Sequence, residues 1–152
     1  MIEINNLTTA VVDEDFLKKT AKIVIDGEKK KAIELSIALV GQERIKKLNK
    51  KYRGKNRATD VLAFGQSQKS KNPLFAHSKN QKFIEPFFGE IVICLREVEK
   101  NAKRYNSTFK KELARVLIHG ILHLLGYDHE KNEAKSKKMR DKEEYYLARL
   151  IK

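Results

Sequence analysis

The sequence has little of what marks an exported or membrane-bound protein. It contains one cysteine, Cys94, which excludes an internal disulfide and agrees with a reducing compartment. No apolar run approaches the roughly 20 residues that a bilayer-crossing helix needs. The N-terminal stretch MIEINNLTTAVVDEDF carries acids early and lacks the basic-then-apolar pattern of an export signal. These absences predict a cytoplasmic protein with no membrane partner.

Internal repeats and linker-like stretches are also absent, so residues 1–152 are interpreted as a single domain. A hydrophobic content of 41% and a charged content of 35% are typical of a soluble globular chain. The charge is unbalanced, because 33 Lys and Arg face 20 Asp and Glu and leave a net charge of +13. Such an excess favours nucleic acid as a partner, since basic side chains displace counterions from phosphates. A Lys-rich surface without a partner is the alternative.

Hydrophobic periodicity predicts strands that interleave with helices. Strands are predicted at residues 2–5, 32–40, 61–64 and 89–95. Helices are predicted at residues 13–29, 42–52, 96–106 and 108–125, with a last amphipathic helix at the C-terminus. Ser107 or Thr108 is expected to cap the long fourth helix, and residues 65–82 are expected to form an exposed loop. Without a strict βαβ repeat, the pattern indicates an α+β or mixed α/β sheet with several helices.

Three of the four histidines fall within HGILHLLGYDH, residues 119–129. His119 and His123 are spaced i and i+4 on one helix, so their imidazoles project from the same face. Gly126 suits the end of that helix, where the chain can reverse and bring back His129. Three histidine ligands that leave a fourth position for water are typical of a catalytic zinc site. The alternative, histidines satisfied within a polar core, is less consistent with this spacing.

The same frame is similar to the zinc helix of metzincin proteases, which begins H-E-x-x-H. Here the glutamate position holds Gly120. In those enzymes the glutamate is the general base that acts on zinc-bound water. Glycine can neither accept nor donate a side-chain proton, so peptide hydrolysis by that route is disfavoured. Its small size instead favours a close approach of another segment or a substrate to the helix.

A second segment, RIKKLNKKYRGKNR at residues 44–57, holds eight basic residues and no acid. Arginine binds a phosphate through two parallel hydrogen bonds, and lysine adds a point charge. Tyr52 offers a ring for stacking on a base, although its helical spacing favours core packing. A solvated basic face is the alternative for the whole segment. The predicted RNA-binding residues are Lys50, Lys51, Arg53, Lys55 and Arg57.

Together these segments resemble the YbeY-type endoribonucleases, the bacterial rRNA maturation factor family. HGILHLLGYDH matches the family's signature, LNKKYRGKNRATDVLAF at residues 48–64 its second motif, and GEIVIC at residues 89–94 its third. The resemblance implies a mixed, mostly parallel four-stranded sheet packed with about five helices. It also implies one zinc ion per chain held by His119, His123 and His129, in a cleft beside the basic surface.

The resemblance further implies single-strand-specific RNA cleavage in 16S rRNA 3′-end maturation and late quality control of the small ribosomal subunit. A ribosomal protein and a ribosome-assembly GTPase are the implied helpers. Arg53, in the YRG motif, is the residue that the resemblance makes necessary for activity on RNA. With help from Lys55, it is expected to stabilise negative charge on the reacting phosphate.

Glu90 and Asp128 are the candidates for proton transfer or for orienting a histidine. The family commonly has Asp where this chain has Glu90, one methylene longer. For Asp128, a backbone-bonding role in the turn after Gly126 is an equal alternative. Cys94, in an apolar strand, is expected to be an inert core residue. His77 is interpreted as a surface histidine.

Two other functions agree with the same residues. One is a metallohydrolase that acts on a substrate other than RNA, such as an atypical protease. The other is a non-catalytic ribosome assembly factor in which zinc stabilises the fold and the basic face docks on rRNA. Chelation and matched substitutions distinguish these functions from a ribonuclease.

Overall fold

A computed structural model describes residues 1–30, 33–65, 87–128 and 132–151, without the side chains of residues 87 and 88. Most of the loop expected at residues 65–82 lies outside these ranges, as do His77 and His129. The strands are β1 Ile2–Asn6, β2 Ile33–Val40, β3 Val61–Gly65 and β4 Phe87–Cys94. The helices are α1 Glu14–Gly27, α2 Gln42–Arg53, α3 Leu95–Arg104, α4 Phe109–Leu124 and α5 Glu133–Leu150.

The four strands form one mixed sheet in the order β1-β2-β4-β3. Strands β1, β2 and β4 run parallel, whereas β3 pairs antiparallel with β4, Val61 opposite Ile93 and Gly65 opposite Gly89. The resemblance implied a mixed, mostly parallel four-stranded sheet, and the structure confirms it. The antiparallel pair places the start of β3, and with it the end of the basic segment, against the end of β4.

Local sequence explains where the helices begin. Asp13 caps α1, since its side chain accepts a hydrogen bond from the Phe16 amide. Thr108 caps α4 in the same way through the Lys111 amide, which decides between the two expected caps. At the other end of α2, Gly54 adopts a left-handed φ of 71°, which allows the chain to turn sharply into the basic loop.

The core has two parts, one on each face of the sheet. The larger part packs α1, α3, α4 and α5 against the face that carries Ile37, Ile91 and Ile93. The smaller part packs α2 against the other face, at Val92 and Cys94. The alternation predicted for residues 33–39 is confirmed, and Cys94 is a buried core residue as expected. No helix within the described ranges is long and apolar enough to cross a membrane.

Candidate active site

Helix α4 carries two histidines whose rings are nearly parallel. The His119 and His123 rings lie 4° from parallel, with centroids 6.4 Å apart, as their i, i+4 spacing predicts. One turn beyond, Gly126 adopts a φ of 103°, a left-handed conformation that reverses the chain after the helix. The chain then leads through Tyr127 and Asp128 toward His129, which lies outside the described residues.

Each histidine is oriented through its Nδ1 atom. His119 Nδ1 is 2.5 Å from Glu143 Oε1 on α5, and His123 Nδ1 is 3.2 Å from the Tyr127 carbonyl oxygen. A carboxylate and a carbonyl can only accept, so Nδ1 carries the proton in both rings. When either imidazole is neutral, its lone pair therefore resides on Nε2. A histidine that donates its other N–H to a carboxylate or carbonyl is the usual arrangement of a metal ligand.

The environment of His123 also favours the neutral form that a ligand needs. Burial lowers the pKa of His123, and the nearby positive charge of Arg53 lowers it further. The hydrogen bond to the Tyr127 carbonyl and the charge of Asp128 oppose this shift without cancelling it. Both histidines thus fit a nitrogen-bound metal in their tautomer, and His123 fits it in its charge state as well.

The basic loop that follows α2 is held by hydrogen bonds to its backbone and to the Asp60 side chain. Buried Asn49 donates its side-chain amide to the Arg57 carbonyl oxygen at 2.9 Å. The Cys94 amide donates to the Asp60 carbonyl oxygen at 2.9 Å, and the Asn101 side chain reaches the Asp60 carboxylate at 3.2 Å. These contacts fix the loop between α2 and β3. The cationic side chains it carries remain exposed.

A cleft of about 340 Å³ joins this loop to the histidines. Arg53, Lys55 and Arg57 line it from the basic segment, and His119 and His123 line it from α4. The structure therefore brings together five residues that two separate sequence motifs indicated. With Arg115 included, four cationic side chains and two carboxylates line the cleft among the described residues.

Other predicted residues lie elsewhere. Lys50 and Lys51 are exposed on α2 and do not line the cleft. Glu90 alternates with Ile91 and so points to the face that packs on α2, whereas α4 covers the other face. Burial raises the pKa of the Glu90 carboxyl. Asp128 lines a separate depression beside Glu28. The structure does not bring Glu90 or Asp128 into the histidine cleft, and their catalytic roles remain predictions.

Several residues in or beside the cleft were not found from the sequence. Glu112 and Arg115 precede His119 by seven and four residues, so helical periodicity alone places them on the histidine face of α4. Glu143 interrupts the apolar stripe of α5 between Met139 and Tyr146, a charged residue at a core position. The sequence therefore held a signal for Glu112 and Arg115 in their helical spacing to His119, and a signal for Glu143 in the interrupted apolar stripe. Tyr105, in the turn after α3, carries no such periodic signal.

A second cluster anchors the segment that follows α4. Glu28 accepts hydrogen bonds from the Tyr127 hydroxyl at 2.7 Å, from the Lys142 ammonium at 3.0 Å, and from the Tyr146 hydroxyl. The Glu28 side chain is only 9% exposed. One carboxylate thus joins the end of α1, the turn after α4, and α5. Gly27 makes this possible because the Tyr146 ring occupies the space that a Cβ atom would need.

Gly120 also has a packing role. A Cβ built at this position would lie 3.3 Å from Ile91 Cδ1 and 3.3 Å from Val61 Cγ2. A side chain at position 120 would therefore require Ile91 and Val61 to shift by a few tenths of an ångström. The sequence predicted that another segment or a substrate approaches the helix closely at this glycine, and in the structure that segment is the sheet.

Within the described residues, no group of three His, Cys, Asp or Glu side chains converges on one point to hold a metal ion. His119 and His123 supply two nitrogen donors, and the predicted third ligand, His129, follows Asp128 directly. The chemistry of the donors, two imidazoles with Nδ1 engaged, suits zinc.

Comparison with known proteins agrees with these observations. The family model described as Endoribonuclease YbeY matches residues 3–151. A protein of that name from Thermodesulfovibrio yellowstonii is 41% identical over 133 residues, 88% of this chain and 76% of its own length. Another, from Thermotoga neapolitana, is 44% identical over 115 residues, 76% of this chain and 66% of its own length.

A solved structure supports the same relationship. The solution structure of a Thermotoga maritima protein is similar with a TM-score of 0.62 and 34% sequence identity. The match covers 99% of this chain and 89% of that one. Fold, motifs and family model agree across nearly the whole length, and the chain belongs to the YbeY endoribonuclease family.

Proposed function

We propose that the protein is a metal-dependent endoribonuclease that cleaves single-stranded RNA. The observation that carries this proposal is the cleft in which Arg53, Lys55 and Arg57 lie with His119 and His123. Cationic side chains beside oriented imidazoles suit a phosphodiester, since both the ground state and the transition state carry negative charge there. Relatives named as endoribonucleases support the same conclusion.

In this proposal the basic loop binds the RNA backbone. Arg53, the last residue of α2, holds the reacting phosphate through its planar guanidinium and stabilises charge that develops on the oxygens. Lys55 and Arg57 bind the same or a flanking phosphate. Because Asn49 holds the loop by its backbone and Asn101 holds it through the Asp60 carboxylate, the cations keep their positions while their side chains face the substrate.

One zinc ion per chain is the proposed cofactor, with His119, His123 and His129 as its ligands. A bound zinc ion would supply a Lewis acid and a water of lowered pKa. The chain's own part is to hold both described imidazoles parallel with Nδ1 engaged, which leaves Nε2 to bind the metal. Glu143 bonds His119 in this way, and the Tyr127 carbonyl bonds His123.

The lining of the cleft favours RNA over a peptide. Its described cations, Arg53, Lys55, Arg57 and Arg115, match a phosphate backbone. A peptidase of the H-E-x-x-H type needs a carboxylate where this helix has Gly120, which the sheet contacts directly. We accordingly propose hydrolysis of RNA, and we propose 16S rRNA 3′-end maturation and late small-subunit quality control as its setting. In that setting the protein acts in the cytoplasm with a ribosomal protein and a ribosome-assembly GTPase.

The test compares wild-type protein with His119→Ala on one RNA sequence, presented single-stranded and as a duplex. Zinc content and circular dichroism are measured on the same samples. We expect about one zinc per wild-type chain, cleavage of the single strand alone, and loss of both zinc and cleavage in the variant. Equal cleavage by both proteins would refute the ribonuclease. Binding of rRNA without cleavage by the zinc-loaded wild type would favour the assembly factor, and peptide cleavage the metallohydrolase.

A further inference from the structure

One wall of the cleft carries an aromatic ring that the proposed catalysis does not use. Tyr105 is the C-cap residue of α3 and is 56% exposed, yet it lines the same cleft as His119 and Arg53. Its backbone is fixed, since the Tyr105 amide donates to the Asn101 carbonyl oxygen at 2.9 Å. The Ser107 amide closes the turn on the Ala102 carbonyl oxygen at 2.8 Å. A large ring is therefore held at the cleft surface in contact with solvent.

Arg115 lies beside this ring. Its guanidinium carbon is 5.8 Å from the centroid of the Tyr105 ring. Arg115 lies on α4, one turn before His119, so the pair adjoins the histidines. Arginine planes and tyrosine rings are among the surfaces on which proteins stack unpaired bases.

The charge of Arg115 is already matched within the protein. Glu112, which is 2% exposed, accepts a hydrogen bond from Arg115 Nε at 3.1 Å. It also accepts from Nη2 at 2.8 Å and 3.0 Å, one contact to each carboxylate oxygen. The Glu112–Arg115 pair adds no net charge to the cleft, unlike Arg53, Lys55 and Arg57. Because its charge is already paired with Glu112, Arg115 suits a nucleobase better than a phosphate.

We propose that Tyr105 and Arg115 form a subsite for one unpaired base of the RNA substrate, stacked on the tyrosine ring. The subsite rests on the proposed ribonuclease function and deepens it. It binds the base of a nucleotide near the phosphate that Arg53 holds. A base within a duplex is paired and stacked on its neighbours, so it must be extracted before it can use this surface. The subsite thus gives a physical reason for a preference for single strands.

The chain provides a matched control. Tyr145 on α5 is 55% exposed, and the Arg149 guanidinium carbon lies 5.6 Å from its ring centroid. The two tyrosines are almost equally exposed, and each has an arginine beside its ring. It lies outside the histidine cleft. Loss of the Tyr145 ring reports the general effect of removing an exposed tyrosine beside an arginine.

The experiment measures the affinity of a short single-stranded RNA by fluorescence anisotropy, and its cleavage rate. The proteins are wild type, Tyr105→Ala, Tyr105→Phe and Tyr145→Ala. A series of RNAs carries one abasic nucleotide at successive positions. We expect Tyr105→Ala to weaken binding on the order of 5- to 100-fold, the range for one stacked base. Tyr105→Phe and Tyr145→Ala should bind like wild type.

The abasic series identifies the stacked base. At one position the abasic RNA should weaken wild type as much as Tyr105→Ala does, and should not weaken Tyr105→Ala further. Binding by Tyr105→Ala equal to that of Tyr145→Ala, or abasic effects that are the same in Tyr105→Ala as in wild type at every position, would overturn the subsite alone. If wild type neither bound nor cleaved single-stranded RNA, the proposed ribonuclease would fail together with the subsite.

Discussion

The cleft and the Glu28 cluster lie at different sites along α4 and the turn that follows it, and they use charge in different ways. In the cleft, Arg53, Lys55 and Arg57 are exposed cations on a loop that is held through its backbone and the Asp60 carboxylate. In the cluster, one nearly buried carboxylate, Glu28, is surrounded by three donors from distant segments. The first arrangement leaves charge available for a ligand. The second uses its charge internally and fixes the turn that leads from His123 toward His129.

The comparison separates the residues expected to determine activity from those expected to determine stability. Exposed basic side chains contribute little to folding, because solvent screens their interactions. A carboxylate with several internal donors contributes more, since removing it leaves those donors without a partner. Substitutions of the cleft cations should therefore lower activity and leave stability unchanged, whereas substitution of Glu28 should do the reverse.

The largest effect is expected for Arg53→Ala on RNA cleavage. Removing a donor that stabilises transition-state charge typically lowers kcat by about 10²- to 10³-fold. Arg53 is exposed, so the thermal midpoint should stay close to that of wild type. Arg44→Ala is the matched control, an exposed arginine at the other end of the same helix that does not line the cleft. Equal loss of activity in both variants would show that helix charge in general, and not the cleft, is responsible.

The reverse signature is expected for Glu28→Ala. Loss of the common acceptor for Tyr127, Tyr146 and Lys142 should lower the free energy of unfolding by about 2–4 kcal/mol. Affinity for RNA at temperatures well below the transition should change little, because the basic loop is held by other contacts. Denaturant unfolding and RNA titration measure the two quantities. The control is Glu144→Ala, an exposed glutamate on α5, for which we expect no change in stability.

A smaller effect, on the affinity for zinc, is expected for Glu143→Gln. Glu143 lies on α5 but bonds the cleft residue His119, so it connects the two regions. Loss of the carboxylate should weaken zinc binding by about 10- to 100-fold, a typical result for such partners of a ligand. Competition with a coloured zinc chelator measures this affinity without reference to RNA cleavage. An unchanged zinc affinity would mean that the contact serves only to dock α5.

The smallest effect is expected in the pH dependence of stability. Burial acts to raise the pKa of Glu28, but hydrogen bonds from Tyr146, Tyr127 and Lys142 outweigh it and hold the pKa below the ordinary 4.5. The stabilisation is then complete above pH 4.5 and is lost as the pH falls through the lower folded-state value. At alkaline pH the cluster weakens again, because burial and the Glu28 contact raise the pKa of Tyr146 above its ordinary 10.

Thermal unfolding of wild type and Glu28→Gln across this pH range tests the linkage. The stability gap between the two proteins should narrow as the pH falls below 4.5. A gap of constant size from pH 7 to pH 3 would show that hydrogen bonding alone, and not the ionisation of Glu28, stabilises the cluster.

The sequence predicted the elements of the fold because each carries a local signal. Alternation of apolar residues predicted β2, and helical spacing predicted that His119 and His123 share one face. Glycines predicted where helices end, and Thr108 was one of two predicted caps of α4. The cleft followed from motifs, since Arg53 and the histidines each stand in a dense, unusual pattern. The features that could not be predicted depend on which elements pack together in the folded chain. Alternation shows that Glu90 and Ile91 face opposite ways, but not which face α4 covers.

The Glu28 cluster was unpredictable for a related reason. Its members are separated by 99 residues in the case of Tyr127 and 118 residues in the case of Tyr146. No periodic pattern relates positions so far apart, and each residue alone is ordinary for its element. Only the packing of α1 against α4 and α5 brings them together.

The contact at Gly120 limits the evolutionary paths open to this scaffold. A single codon change to glutamate would restore the H-E-x-x-H pattern of a peptidase, but its first side-chain atom would already press on Ile91 and Val61. That substitution therefore requires the Ile91 and Val61 side chains to move by a few tenths of an ångström. The close approach of helix and sheet thus places a packing cost on this route to a peptidase-like motif.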